Sequence, residues 1–154
     1  MSIIELKERG SIIQKEKLNR IYIQFRELLE ELRKRELPAA IIKSINQDIE
    51  ELNLTSLTGE RLGKVAKQKQ RKIIKLLEKE LKIVPKNHYR NLWLVLGLCV
   101  FGIPIGVVYG HITHHNGMMG IGLPIGMGIG ICLGFWLDKK ATKEGRQLNV
   151  EIKY

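Results

Sequence analysis

From Asn91 to Leu137 the chain carries no formal charge: all 26 Lys and Arg and all 16 Asp and Glu fall in residues 1–90 or 138–154. A helix that packs on a soluble core keeps a solvent face, and that face carries charged side chains. The same stretch holds 11 of the 15 glycines, a residue that helices in water disfavour. A buried helical pair in a soluble domain is the competing reading, and it explains neither feature. Averages of 44% hydrophobic and 27% charged residues resemble an ordinary soluble domain only because they blend two unlike parts.

We read the stretch as membrane. A crossing takes roughly 20 apolar residues, so two spans fit, near residues 92–110 and 118–137, joined by the polar turn sequence HITHHNG. A cleaved signal peptide is not expected, because MSIIELKERG becomes charged before an apolar core builds. Lys82, Lys86 and Arg90 precede the first span, Lys139, Lys140, Lys143 and Arg146 follow the second, and the connecting loop has no Lys or Arg. The positive-inside rule then predicts both termini in the cytoplasm, with Trp93 and Trp136 near the cytoplasmic interface.

Within the spans, glycine recurs every fourth residue, at Gly102, Gly106 and Gly110 and at Gly122, Gly126, Gly130 and Gly134. Four-residue spacing makes a stripe on one helix face. Folding about His114 brings residues whose numbers sum to 228 to equal depth, so Gly106 faces Gly122 and Gly102 faces Gly126. In lipid there is no hydrophobic reward for pairing helices, so close backbone packing must supply the attraction. Gly120 and Gly128 lie off the stripe and leave a second small face for a neighbouring copy; self-association is the expectation. Pro104 and Pro124, in the repeated GIPIG and GLPIG, each remove an amide donor and predict matched kinks facing each other or lining a multimer interior.

Cys99 and Cys132 read as small apolar fillers rather than a disulfide. His111, His114 and His115 are weak candidates for a metal site, with an exposed polar turn as the plainer account. No cofactor motif is present. Tyr109 and the two cysteines have no His, Lys, Asp or Glu at membrane depth to activate them, so an enzyme is not expected.

Residues 1–90 read as three helices, near 11–37 (capped by Ser11), 38–53 (with Pro38 in its first turn) and 58–83, forming an antiparallel bundle or a coiled coil with another copy, with an elongated helical hairpin the favoured arrangement. Their apolar stripes are Leu18, Ile21, Phe25, Leu28, Leu29 and Leu32; Ile41, Ile42, Ile45, Ile49 and Leu52; and Leu62, Val65, Ile73, Leu76 and Leu77. Lys64, Lys67, Arg71, Lys75, Lys79 and Lys82 line one face of the third helix. At net charge +10 this face suits anionic lipid headgroups or an unidentified cytoplasmic protein. Nucleic acid fits less well, because no aromatics interleave the basic residues. In the tail, Leu148, Val150, Ile152 and Tyr154 alternate with polar residues, the pattern of a short strand that pairs with another copy or packs on the helices.

At VPKNHYRNLWLVLGL, at the GIPIG and GLPIG pair and at LDKKATKEGRQLNVEIKY, the chain resembles an uncharacterised family of small bacterial two-span glycine-zipper membrane proteins, best over residues 83–154. The resemblance implies an all-α, two-span protein of the bacterial inner membrane with a cytoplasmic helical region, and brings no activity or catalytic residue. The expected function is non-enzymatic: a self-associating hairpin that anchors a basic interaction module. An oligomeric pore or membrane-perturbing effector is the alternative.

Overall fold

The computed structural model describes residues 2–7, 16–114 and 120–152. The regular elements among these residues are all helices, with no β-strand. They fall into two units: residues up to Pro85 together with those from Leu148 onward, and Lys86–Gln147. The division differs from the charge boundary, because the tail belongs with the N-terminal helices.

In the first unit, α1 (Glu16–Arg33), α2 (Ala39–Leu54) and α3 (Gly59–Leu81) form a three-helix bundle. It is neither a helical hairpin nor a coiled coil, because α3 packs against both of the others. Phe25, Leu28, Leu32, Ile45, Ile49, Leu52, Leu62, Ile73 and Leu77 are fully buried. Of the residues read as apolar stripes, Ile21, Ile42, Val65 and Leu76 are only partly buried. Tyr22, Ala66 and Ile74 take the core positions instead. Helix α1 stops at Arg33, four residues short of expectation, and Ser11 lies outside the described residues. Pro38 sits at the N-cap of α2. Helix α3 ends in a left-handed Lys82 (φ 55°), with the Lys82 amide donating to Glu78 and the Ile83 amide to Leu77, a Schellman closure.

Two extended segments close this bundle. Residues 2–7 bury Ile3 and Leu6, and residues 148–152 bury Leu148, Val150 and Ile152 in the same core. The tail's alternation is therefore real, but it packs on helices rather than pairing as a strand. A ladder-like bond runs from the Leu148 amide to the Val84 carbonyl at 2.9 Å.

A polar cluster joins α2 to α3. Asp48, 1% exposed, accepts from Lys69 and Lys72, each at 2.8 Å, and Lys69 also pairs with Glu51. Burial pushes the Asp48 carboxyl up, but the hydrogen bonds and charges of Lys69 and Lys72 outweigh it and hold it below its usual 3.8. Burial lowers Lys69, while Asp48 and Glu51 carry it on balance above its usual 10.5. A depressed carboxyl stabilises the fold above its unfolded value and loses that contribution as pH falls through the folded value; a raised lysine contributes below its unfolded value and loses it as pH rises through the folded one. The bridge is thus complete across the neutral range. Asp48→Asn is expected to cost roughly 1.5–3 kcal/mol at pH 7, the range for hydrogen bonds to charged groups. Chemical unfolding at stepped pH should show the gap to the unaltered chain starting to narrow below about pH 4 and closing only once pH falls below the depressed folded value of Asp48, where its carboxyl is neutral.

Candidate functional site: an apolar helical pair packed on glycine

In the second unit, α4 (His88–Gly97), a π turn (Leu98–Gly102) and α5 (Ile103–Thr113) run on as one helix, antiparallel to α6 (Gly122–Lys143). Within the charge-free stretch the buried positions among the described residues are all glycines: Gly97, Gly102, Gly106 and Gly110 on one side, and Gly122, Gly126, Gly130 and Gly134 on the other. Each of these four α6 glycines meets backbone. A Cβ on Gly122 would stand 2.2 Å from the Gly102 carbonyl oxygen and 2.6 Å from Gly106 Cα. At Gly126 it would lie 2.5 Å from Gly102 Cα, at Gly130 2.1 Å from the Trp93 oxygen, and at Gly134 2.5 Å from Arg90 Cα. Real Cβ atoms do not approach that closely, so the two axes come together only because these side chains are absent.

Gly97 joins the seam although it breaks the four-residue spacing. Residues five apart on an ideal α-helix diverge by about 140° around the axis, at 3.6 residues per turn. The π turn removes the divergence: Ile103 donates to Leu98, five residues back, and the extra residue returns Gly102 to the face of Gly97. Pro104 accounts for the position of this turn. Its ring would collide with the carbonyl of Val100 in a regular α-helix, and the widened turn spans that carbonyl. The two prolines are therefore not a matched, facing pair. Pro104 follows a π turn in a continuous helix, Pro124 lies in the first turn of α6, where no helical partner is lost, and both are exposed rather than facing each other.

The outer surface is the reverse of a soluble protein's. Apart from Ile4, Ile23 and Leu54, every large apolar side chain exposed among the described residues belongs to this pair, including Val95, Val108, Ile112, Leu133 and Phe135. Cys99 and Cys132 are free thiols on that outer surface, not fillers between the helices. Gly120 and Gly128 have nothing within 4 Å of an added Cβ. The Arg90 guanidinium lies 5.7 Å from the Phe135 ring centroid and the Lys140 ammonium 5.8 Å from that of Trp136, cation–π contacts at the end where both chain segments leave the unit.

At that same end Asp138, the first charge after the apolar stretch, is buried. Its carboxylate accepts from the Tyr89 amide at 3.1 Å and the Arg90 amide at 2.9 Å, and from Gln147 Nε2 at 3.3 Å. Asn87, the N-cap residue of α4, makes no side-chain cap of its own. Asp138 on α6 supplies the cap across the helix pair, where a negative charge also suits the helix dipole.

His114 ends α5 in a left-handed conformation and His111 lies in its last turn, while His115 is outside the described residues. No three potential metal ligands gather among the described residues. In the first unit, Lys64, Lys67, Arg71 and Lys75 line one open groove with Gln68 and Lys72. Lys79 and Lys82 are exposed further along α3. No family model, curated protein or solved structure matches the chain.

Proposed function

We propose that Lys86–Gln147 is a two-span membrane hairpin that self-associates and anchors the helical bundle as a basic cytoplasmic interaction module, without enzymatic activity. The observation that carries this reading is the inversion of the pair: glycine inside, and valine, isoleucine, leucine and phenylalanine outside. Water would not tolerate such a surface, whereas lipid favours it and makes small residues the means of helix contact.

The helix His88–Thr113 is long and apolar enough to cross by itself. In α6 the charge-free part, residues 122–137, is shorter than the roughly 20 residues a crossing takes. Gly120 and Ile121 extend it at one end, and Lys139, Lys140 and Lys143 reach the headgroups by snorkelling at the other. The buried tail supports an even number of crossings. Residues before Pro85 and after Leu148 share one core, so a chain that leaves this unit to enter a bilayer must return on the same side. The basic groove on α3 then suits the anionic inner leaflet of a bacterial inner membrane. The π turn accommodates Pro104 within the pair, so the prolines call for no conduit.

In a background with Cys99 and Cys132 replaced by serine, single cysteines at positions 2, 116 and 154 test the topology with a membrane-impermeant thiol reagent on sealed cells. Position 116 should label from outside, and positions 2 and 154 only after lysis. External labelling of one terminus alone would leave a single crossing; external labelling of both termini with position 116 protected would reverse the hairpin, and equal labelling of all three positions would remove it.

A further inference from the structure

Two recesses of the bundle meet at the same two lysines. One is the basic groove that runs along α3 past Gln68, Arg71 and Lys75. The other is a cleft of about 610 Å³ between the first turns of α1 and of α3. Lys64 and Lys67 line both. Leu18 and Ile21 of α1 and Gly59 and Gly63 of α3 give the cleft apolar walls. A Cβ at Gly63 would already stand 3.3 Å from Leu18 Cδ1 and 3.4 Å from Ile21 Cδ1, so a side chain there would crowd one wall against the other. The lysines at this junction differ from their neighbours. Lys69 and Lys72 are tied to Asp48, whereas Lys64, Lys67 and Lys75 make no ion pair among the described residues. With Arg71 they follow one another at three- and four-residue spacing, where like charges on a helix repel. The carboxylates of the cleft bring no relief: Glu16 pairs with Arg20, and Glu60 forms no ion pair among the described residues.

We infer that this junction binds an anionic phospholipid through a phosphate monoester held between Lys64 and Lys67, with one acyl chain lying in the cleft. A phosphate monoester carries a charge of about −1.5 to −2 at neutral pH and has three acceptor oxygens. Each ammonium is a compact charge with three donors, so two lysines share one phosphate without the fixed geometry that a guanidinium fork demands. Each half of the junction excludes a simpler occupant. A polar anion by itself would leave the apolar walls to water, a neutral hydrocarbon would leave the two lysines unpaired, and a polyanion along the basic groove would make no use of the cleft. An anionic amphiphile satisfies both halves. The inference rests on the reading of the α3 face as a headgroup surface and narrows it to one phosphate position and one chain; the number of membrane crossings does not enter it.

The test uses the full-length chain in phosphatidylcholine nanodiscs, with lysophosphatidic acid carrying a diazirine in its acyl chain as the probe. After irradiation, mass spectrometry should find label within residues 16–21 and 59–67, at least tenfold above that left by lysophosphatidylcholine with the same chain; label on the apolar pair, which both probes reach through the disc, is the internal reference. Lys64→Gln with Lys67→Gln should lower the bundle label at least tenfold. Lys75→Gln with Lys79→Gln removes the same charge from α3 outside the cleft and should change it less than twofold. Equal losses from the two pairs would overturn the site and leave a diffuse attraction of α3 for headgroups. Equal label from the two probes would overturn the phosphate contact. Suppression by glycerol phosphate as strong as by unlabelled lysophosphatidic acid would overturn the acyl part and assign the lysines to a free phosphate ester.

Discussion

Gly122→Ala, Gly126→Ala and Gly130→Ala should each lower the stability of the helical pair by about 3 kcal/mol or more, at or beyond the upper end of overpacking. The added methyl in every case meets backbone atoms of the facing helix at 2.1–2.6 Å. A clash with the tip of a flexible side chain is relieved by a change of rotamer. Backbone has no such freedom, so the axes must separate along the seam, and the contacts of neighbouring glycines are lost with the one that was replaced. Helix propensity works in the opposite direction, since alanine is better than glycine in a helix interior by about 1 kcal/mol. Gly128→Ala isolates that term, because nothing lies within 4 Å of its added Cβ, and it should be neutral or slightly stabilising. Thermal unfolding in one detergent, followed by circular dichroism, separates the two groups. Equal effects at Gly126 and Gly128 would mean that the glycines do not form the contact surface. A fall in oligomer content with Gly128→Leu, without loss of helix, would place a second copy on the outer face.

Asp138→Ala should cost about 2–3 kcal/mol and fray the start of α4. Its carboxylate holds two successive amides at the first turn of that helix, and hydrogen bonds to a charged group contribute about 1.5–3 kcal/mol each, less what water restores at an accessible end. Asp138→Asn keeps one acceptor and loses the charge, so an intermediate effect is expected. Lys139→Ala, next in sequence but exposed, should change little. Hydrogen exchange distinguishes the cap from a general loss of stability: amides 89 and 90 should exchange faster than their neighbours in Asp138→Ala, while those of α5 hold. Uniform acceleration across the whole pair would show that Asp138 matters for packing and not as a cap.

Much of this arrangement is legible in the sequence. A charge-free run bounded by basic residues separates an apolar pair from an amphipathic bundle, and period-four glycines on two segments mark which faces meet. Gly97 was not legible, because its place in the seam depends on a turn with one extra residue, which the pattern of glycines does not show. The only hint was Pro104 seven residues later. Asp138 read as one charge among several flanking residues; that it turns inward depends on which helix end lies beside it. Asn46 and Asn53 looked like ordinary polar positions on an amphipathic helix, although each bonds the backbone of residues 2–7 on both sides of a buried apolar residue. Asp48 gave no sign of burial, since its partners Lys69 and Lys72 lie on another helix.

Local sequence therefore determined what each segment is: helical spacing of apolar residues, proline at helix starts, and the absence of charge act over one or two turns and need no partner to be read. Tertiary structure alone decided what each segment touches. The tail could have paired as a strand, yet the bundle offered its alternating Leu148, Val150 and Ile152 a place in a core. Residues 2–7 are extended because Asn46, Asn53 and Arg33 on other elements satisfy their backbone. The glycine seam keeps its register through Pro104 because a π turn costs less than separating two backbones that pack in direct contact. These outcomes turn on unpaired amides, carbonyls and carboxylates finding partners far away in the chain, and such pairings have no period in the sequence.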